Sequence, residues 1–365
     1  MKNKLFILFV CIAAMISAHA QTDSETLNQF IAKCKPLNDT YNDAYRRKDY
    51  PRTIQTLQTM LQAFNRLQLT KADHEKYGED LRAEKTNIYY NMACCYALQN
   101  KKKKAIEAFQ KAIANGYTNY RHALKDTDLS AIHNDKLFKQ ALATIEQFDN
   151  LYILRHAKPY CKETTDTFPR FTYQQSDNNS LKQMRTYFNL DSIAGNGDEV
   201  SKILHLLRFV HNTILHDGSH FGLCESSAVD IYNYYKTTGK GVNCRQLAIA
   251  LNGMYLAMGF PSRYVTCMPK DNKDQDCHVI NCVYSSQLGK WLWIDPTFNA
   301  YVKDENGNLL SIAEVREHLI ANRPLYLNED ANWNNRVKKT KEDYLDNYMA
   351  KNLYWFNCVD YSCLH

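Results

Sequence analysis

The sequence lacks a strong excess of charge, a long apolar run and the common metal-binding motifs. Its formal net charge is only +6 over 365 residues, so no nucleic-acid partner is expected. No apolar stretch is long enough to span a bilayer, so no transmembrane segment is predicted. The chain also has no paired Cys-x-x-Cys motifs and no acidic loop that reads as a calcium site. We therefore assign no metal and no cofactor.

The first residues have the pattern of a secretory signal peptide. Lys2 and Lys4 precede an apolar run from Leu5 to Ile16, which is followed by Ser-Ala-His-Ala. A positive start, a short apolar stretch and a small-x-small site are typical of such signals. We predict a signal peptide over residues 1–20 with cleavage after Ala20, and hence a secreted or periplasmic protein.

Residues 22–150 are predicted to form an all-α domain. Between Thr86 and Asn119, small and large residues alternate as in one tetratricopeptide-like helical hairpin: Tyr89, Met92, Ala93, Tyr96, Ala105, Phe109 and Ala112. A weaker copy lies upstream around Leu57, and a degenerate pair follows around Phe138. Such a stack either binds a protein partner in its groove or braces the neighbouring domain.

Cys244 lies where a glycine-containing loop gives way to a stretch with helical periodicity. Apolar residues recur three and four positions apart up to Met258, and Gly259 and Pro261 then end the pattern. Asn243 is a good N-cap, so the sulfur is expected in the first helical turn, where free N–H groups favour an anion. This position lowers a thiol pKa and provides donors for an oxyanion.

A histidine and an aspartate follow, one at each end of a predicted β-hairpin. His278 opens the first strand, Asp295 closes the second, and Ser-Ser-Gln-Leu-Gly forms the turn. If Ser286 and Gln287 form the tip, His278 lies directly opposite Asp295, with the carboxylate holding the Nδ1–H of the imidazole. A bulge at Gly289 would shift that register by one residue. One strand face is predicted to carry Ile280, Cys282, Trp291 and Trp293, and the other Val279, Val283, Leu292 and Ile294.

His216, Asp217 and His220 form another group of polar residues, after a predicted helix that starts near Asp198. Gly218 interrupts the helix that would align them into a metal cluster. We therefore interpret them as surface or core residues.

Three sequence blocks, GVNCRQLAIALNGMYLAMGFPSRYV, DCHVINCVY and GKWLWIDPTFNAY, resemble the transglutaminase-like superfamily. The resemblance implies a papain-like α+β fold, in which a helix bearing the cysteine packs on an antiparallel sheet. It also implies that Cys244 is the nucleophile, His278 the base and Asp295 the orienting carboxylate. For the side chain of the oxyanion hole, Tyr235 and Gln246 are the candidates.

The predicted domain order then follows. After the helical domain come an irregular linker over 151–197, a transglutaminase-like catalytic core over 198–302 and a C-terminal helical extension over 303–365. We predict a cysteine enzyme that acts on amide bonds of a peptide or protein substrate through a thioester, as a protease or amidase. A protein-glutamine transferase and a non-catalytic peptide-binding scaffold are the alternatives.

Overall fold

The computed structural model describes residues 25–161 and 171–362, which form two compact units. The first unit ends at Asp149 and the second begins at Asn150. The predicted signal peptide lies outside the described residues. Within the described ranges, no helix has both the length and the apolarity needed to cross a membrane.

The first unit is helical throughout, as predicted. Its elements are α1 (Glu25–Arg46), α2 (Tyr50–Arg66), α3 (Lys71–Leu98), α4 (Lys102–Ala114), α5 (Tyr120–Lys125) and α6 (Lys136–Ala143), with 3₁₀ turns at Thr127–Leu129 and Glu146–Phe148. Ala93 of α3 and Ala105 of α4 are fully buried, and Phe109 fills the space beside them. The two helices thus form a hairpin, and its assignment as a tetratricopeptide-like repeat stays a prediction.

The second unit combines helices with an antiparallel sheet, which confirms the predicted α+β class. Its helices are α7 (Asn150–Arg155), α8 (Asn179–Phe188), α9 (Leu190–Ala194), α10 (Glu199–Thr213), α11 (Ala228–Thr238), α12 (Cys244–Ala257), α13 (Ile312–Ile320), a π-helix (Glu342–Met349) and α14 (Ala350–Asn352). Its strands are β1 (Thr172–Tyr173), β2 (Ser262–Met268), β3 (His278–Ser285), β4 (Lys290–Ile294), β5 (Val302–Lys303), β6 (Tyr326–Leu327), β7 (Asn332–Trp333), β8 (Val337–Lys338), β9 (Trp355–Cys358) and β10 (Tyr361–Ser362).

The main sheet has the strand order β4-β3-β2-β9, and every pairing within it is antiparallel. Helix α12 packs on one face, where Val279, Val283 and Leu292 join its core. The other face is covered by α7, α13 and the π-helix, which enclose Ile280, Cys282 and Trp293. The predicted division of the hairpin into two faces is therefore confirmed.

The predicted hairpin register is wrong by two residues. Ser285 pairs with Lys290, so the loop has four residues, and Gly289 at its end adopts a positive φ of 66°. Cys282 lies opposite Trp293, and the ladder ends at Asn281 and Ile294. A shift of two leaves every side chain on its predicted face, because side chains alternate with a period of two. His278 and Asp295 thus share a face without being directly opposed.

The predicted secondary structure of two segments also needs correction. The segment 151–197 is not irregular throughout, because Asn178 caps α8 and Leu181, Met184 and Phe188 of that helix enter the core. The C-terminal extension over 303–365 is not simply helical either. Residues Trp355–Cys358 form β9, whose backbone pairs with the edge of β2.

A buried acidic side chain in the first unit makes its stability depend on pH. Both carboxyl oxygens of Glu84 on α3 are buried and have no hydrogen-bond partner among the described residues. Burial raises the pKa of Glu84 to about 8, from 4.5. Between those values the unfolded chain releases a proton that the folded chain keeps, so stability falls as the pH rises through this window.

We expect Glu84→Gln to remove this dependence. The free energy of unfolding of the wild-type helical unit should fall by about 1.4 kcal/mol per pH unit between pH 5 and 8, and that of the variant should fall much less. Urea unfolding of the full chain at several pH values measures the difference, with Glu79→Gln, on an exposed residue of the same helix, as the matched control. Equal slopes for Glu84→Gln and wild type would contradict the prediction.

Candidate active site

The Cys244 sulfur lies in the first turn of α12, where the sequence places it. The side chain of Asn243 caps the helix by accepting the N–H of Gln246 at 3.0 Å. The first N–H groups of the helix have no intrahelical acceptor, so they and the helix dipole favour negative charge on the sulfur. Cys244 is a partly exposed residue.

His278 and Asp295 are joined by a buried hydrogen bond. Nε2 of His278 lies 2.7 Å from Oδ2 of Asp295, and the two side chains are 2% and 0% exposed. The predicted contact through Nδ1 is therefore wrong in its atom, because Nε2 is the nitrogen that faces the carboxylate. The bond to Nε2 leaves Nδ1 for Cys244, whose side chain hydrogen-bonds His278.

The remaining lone pairs of Asp295 are used by two further donors. The hydroxyl of Tyr344, on the π-helix, donates to Oδ2 at 2.6 Å, and the backbone N–H of Thr297 donates to Oδ1 at 2.8 Å. Trp293 in turn donates its indole N–H to the Tyr344 hydroxyl at 3.1 Å. The sequence contained no signal for Tyr344, which lies 49 residues beyond Asp295. The carboxylate is thus held in one orientation.

The thiol and the imidazole shift each other's ionisation. Burial by itself would raise the pKa of the Cys244 thiol, but hydrogen bonds from His216 and His278, the charge of His278 and the N–H of Val279 lower it to about 6. Burial would lower the pKa of His278, and the charge and hydrogen bond of Asp295, with the contact to Cys244, raise it to about 10. The two shifts together favour the thiolate–imidazolium form of the pair.

His216 is a residue near Cys244 that the sequence did not indicate. It lies in a short bridge to Val242, two residues before Cys244, where Asp217 donates its N–H to the Val242 carbonyl at 2.8 Å. The side chain of Asn334 holds the backbone of His216 from both sides, at 2.8 and 2.9 Å. Hydrogen bonding by the His216 imidazole is also one of the causes that lower the pKa of the Cys244 thiol.

The side-chain amide of Gln246, one of the two oxyanion candidates, hydrogen-bonds the backbone of Gly222. Its Oε1 accepts the N–H of Gly222 at 2.9 Å, and its Nε2 donates to the carbonyl of the same residue at 2.8 Å. These bonds fix the loop before α11 against the start of α12. No hydrogen bond joins Tyr235 to Cys244 within the described part of the chain. The amide of Gln246 is thus already bonded, and Tyr235 stays a candidate.

A cavity of about 440 Å³ lies among residues that contact His278, Asp295 and His216, although Cys244, His278 and Asp295 do not line it. It is lined by Phe298, Trp333, Lys339, Asp343, Tyr344, Asn347 and Tyr348. The rings of Phe298 and Tyr348 contact the His278 ring, with centroids 5.5 and 5.2 Å away. Tyr344 and Trp333 contact Asp295 and His216 through the hydrogen bonds of their side chains. The cavity therefore shares its walls with the supports of the site.

One group of possible metal ligands occurs among the described residues, and it lies in the helical unit. The ligand atoms of Cys94, Asp126 and Asp128 are within 4.8 Å of one another. Tyr90 and Tyr45 donate hydroxyl hydrogen bonds to the two carboxylates, at 2.8 and 2.6 Å. Burial, together with the nearby carboxylates, raises the pKa of the Cys94 thiol well above its usual value. The group thus acts as an internal hydrogen-bond network.

Comparison with known proteins identifies part of the second unit. Residues 188–296 match the transglutaminase-like superfamily, so the predicted transglutaminase-like domain is confirmed, and the match includes Cys244, His278 and Asp295. A separate similarity, 33% identity over 64 residues, is to a chloroplastic protein of Arabidopsis thaliana. It covers 18% of this chain and 18% of that protein.

The ionisation of Cys244 predicts fast alkylation at low pH. In the wild type, the rate with iodoacetamide should be half-maximal near pH 6, because the thiolate is the reacting form. In His278→Ala the midpoint should move up towards the ordinary thiol value of 9.0. Peptide mass spectrometry reads the modification of Cys244 itself, and His205→Ala, on an exposed residue of α10, is the control. A wild-type midpoint near 9 would contradict the proposed ion pair.

Removal of the Tyr344 hydroxyl should weaken the support of Asp295. We expect Tyr344→Phe to lower the free energy of unfolding by about 1.5–3 kcal/mol, since the bond lost is to a buried charged group. Tyr326→Phe, on an exposed tyrosine, should leave it unchanged. Urea denaturation measures the free energy of unfolding of both variants. A Tyr344→Phe variant as stable as the wild type would show that this hydrogen bond contributes nothing to stability.

Proposed function

We propose that the transglutaminase-like domain is a cysteine enzyme that hydrolyses amide or peptide bonds through a thioester. The observation that carries the proposal is the buried hydrogen bond between His278 and Asp295, beside a partly exposed cysteine at the start of α12 whose thiol pKa is lowered by His278. A structural cysteine of the core would instead have a raised pKa, as burial gives to the Cys282 thiol, at about 12.

The steps follow from these positions. The Cys244 thiolate attacks the carbonyl carbon, and the C=O π electrons move onto oxygen. The tetrahedral intermediate then expels the amine, which takes the proton of the His278 imidazolium, and a thioester remains. His278 next removes a proton from water, whose attack releases the acid and restores the thiolate. Asp295 fixes the ring through Nε2, so that Nδ1 exchanges the proton in both halves.

The cavity beside His278 provides a place for the acyl part of a substrate. Its walls are aromatic at Phe298, Trp333 and Tyr348, and Lys339 lies over the Phe298 ring at 5.0 Å. Ligand pockets are typically lined by aromatic and apolar side chains with a few polar groups. We propose that a side chain next to the scissile carbonyl enters here, in a peptide or protein substrate.

Two features outside the catalytic domain extend the proposal. The signal pattern of residues 1–20 supports action outside the cytosol, in the periplasm or after secretion. The helical unit supports a role in holding a protein substrate or partner, because helical hairpins that stack form grooves for peptides.

Activity should depend on pH as a bell-shaped curve. It should rise as Cys244 ionises near pH 6 and fall as His278 loses its proton near pH 10, because the leaving amine needs that proton. Hydrolysis of a mixed peptide library at different pH values, followed by mass spectrometry, measures the curve, with Cys244→Ala as the control.

The same experiment separates the possible reactions. Cleaved peptides would support a protease, and glutamine side chains heavier by one mass unit would support an amidase. Amine-linked products formed only when a primary amine is added would favour the transferase instead. If Cys244→Ala and wild type give identical peptide mixtures, and no acyl group is found on Cys244, the domain is a binding scaffold and the proposal fails.

A further inference from the structure

His216 is bridged to Val242, two residues before Cys244, and both His216 and His278 are hydrogen-bonding groups that lower the pKa of the Cys244 thiol. The two imidazoles have different hydrogen-bond partners on their other sides. His278 is bonded to the carboxylate of Asp295, whereas Nδ1 of His216 accepts the indole N–H of Trp333 at 3.0 Å. An indole nitrogen is only a donor. Nδ1 of His216 therefore carries no proton in this arrangement, and the ring proton is on Nε2.

The polypeptide around His216 fixes this arrangement. Trp333 ends strand β7, and the next two residues, Asn334 and Asn335, take positive φ values of 53° and 54° in the tight turn to β8. Asparagine tolerates this conformation better than most residues. The side chain of Asn334 then bonds the His216 backbone in both directions. One turn thus holds both the main chain and the ring of His216.

We propose that His216 is the side-chain donor of the oxyanion hole, acting through Nε2–H, and that Trp333 is the positioning residue that keeps the proton on that nitrogen. This inference rests on the proposed cysteine chemistry. The second donor is the backbone N–H of Cys244, at the free end of α12.

The electron flow explains why a neutral imidazole suits this position. When the sulfur bonds to the carbonyl carbon, the negative charge moves from sulfur to the former carbonyl oxygen, which is two bonds away on the same carbon. A donor that bonds the thiolate before attack is then close to the oxygen after attack. His216 transfers no proton in this step, because its Nε2–H only donates a hydrogen bond, and the intermediate collapses with the proton of His278 going to the amine.

The alternative role for His216 is only to promote ionisation of the thiol. The two roles differ in one measurable way, because alkylation by iodoacetamide needs the thiolate but forms no oxyanion. Acetylation by p-nitrophenyl acetate needs the same thiolate and passes through a tetrahedral oxyanion. The ratio of the acetylation rate to the alkylation rate at one pH therefore cancels the thiolate fraction and reports the oxyanion hole.

We expect His216→Leu to lower this ratio by about 10²–10³-fold at pH 8.5, the usual effect of removing one oxyanion donor. His216→Gln should recover at least part of the loss, since the amide nitrogen of glutamine can occupy the place of Nε2. Trp333→Phe should lower the ratio less than His216→Leu, because the ring remains but its proton is no longer fixed.

Both rates are measured on the full-length protein, from the burst of p-nitrophenolate and from the mass of the Cys244 peptide, with values for Cys244→Ala subtracted. Circular dichroism and thermal unfolding check that each variant folds, and Trp333→Phe keeps the test usable if His216→Leu does not fold, because its ratio falls only if the Nε2–H of His216 acts on the oxyanion. An unchanged ratio in a folded His216→Leu, or an unchanged ratio in Trp333→Phe where His216→Leu does not fold, overturns the role of His216. Wild-type protein that is alkylated and acetylated only at the rate of an ordinary thiol would instead overturn the proposed function.

Discussion

The buried carboxylate of Asp295 is the constraint on which the rest of the second unit depends. A carboxylate that is 0% exposed is costly unless its charge and lone pairs are compensated. The compensation comes from three places in the chain: the imidazole of β3, the Thr297 N–H in the turn after β4, and the Tyr344 hydroxyl of the π-helix. The C-terminal segment therefore belongs to the site. Its π-helix, a form often found at functional sites, carries both Tyr344 and Tyr348, whose side chains contact Asp295 and His278.

The hydrogen-bond partner of each imidazole, Asp295 for His278 and Trp333 for His216, determines which ring nitrogens carry a proton. Asp295 stabilises the cationic form of His278, and the indole of Trp333 requires an unprotonated Nδ1 in His216. One thiolate is thus contacted by a ring that can give up a proton and by another that only donates a hydrogen bond. Burial strengthens both interactions, because charges attract more strongly where water is excluded. Cys244 and His216 are both partly exposed, whereas His278 and Asp295 are buried.

Local patterns were sufficient to predict some parts of the structure. The apolar spacing after Asn243 predicted helix α12, which runs from Cys244 to Ala257, and the alternation around His278 and Trp293 predicted the two faces of the hairpin. The register could not be predicted, because Ser-Ser-Gln-Leu-Gly fits a loop of two or four residues equally well. Nor could the choice of Nε2, which depends on that register. His216 and Trp333 are 117 residues apart, so their contact depends on tertiary structure alone. The two adjacent asparagines, 334 and 335, favour only the tight turn that follows Trp333.

The central claim is that Cys244 and His278 form a thiolate–imidazolium pair at neutral pH. It is tested most directly by ¹⁵N NMR of protein labelled at the imidazole nitrogens, with His278→Gln used to assign the resonances. At pH 7 both ring nitrogens of His278 should show the shifts of a protonated imidazole, and in Cys244→Ala the proton should be lost at a lower pH, because the negative sulfur is gone. A neutral His278 ring at pH 7 in the wild type, with one protonated and one unprotonated nitrogen, would contradict the ion pair.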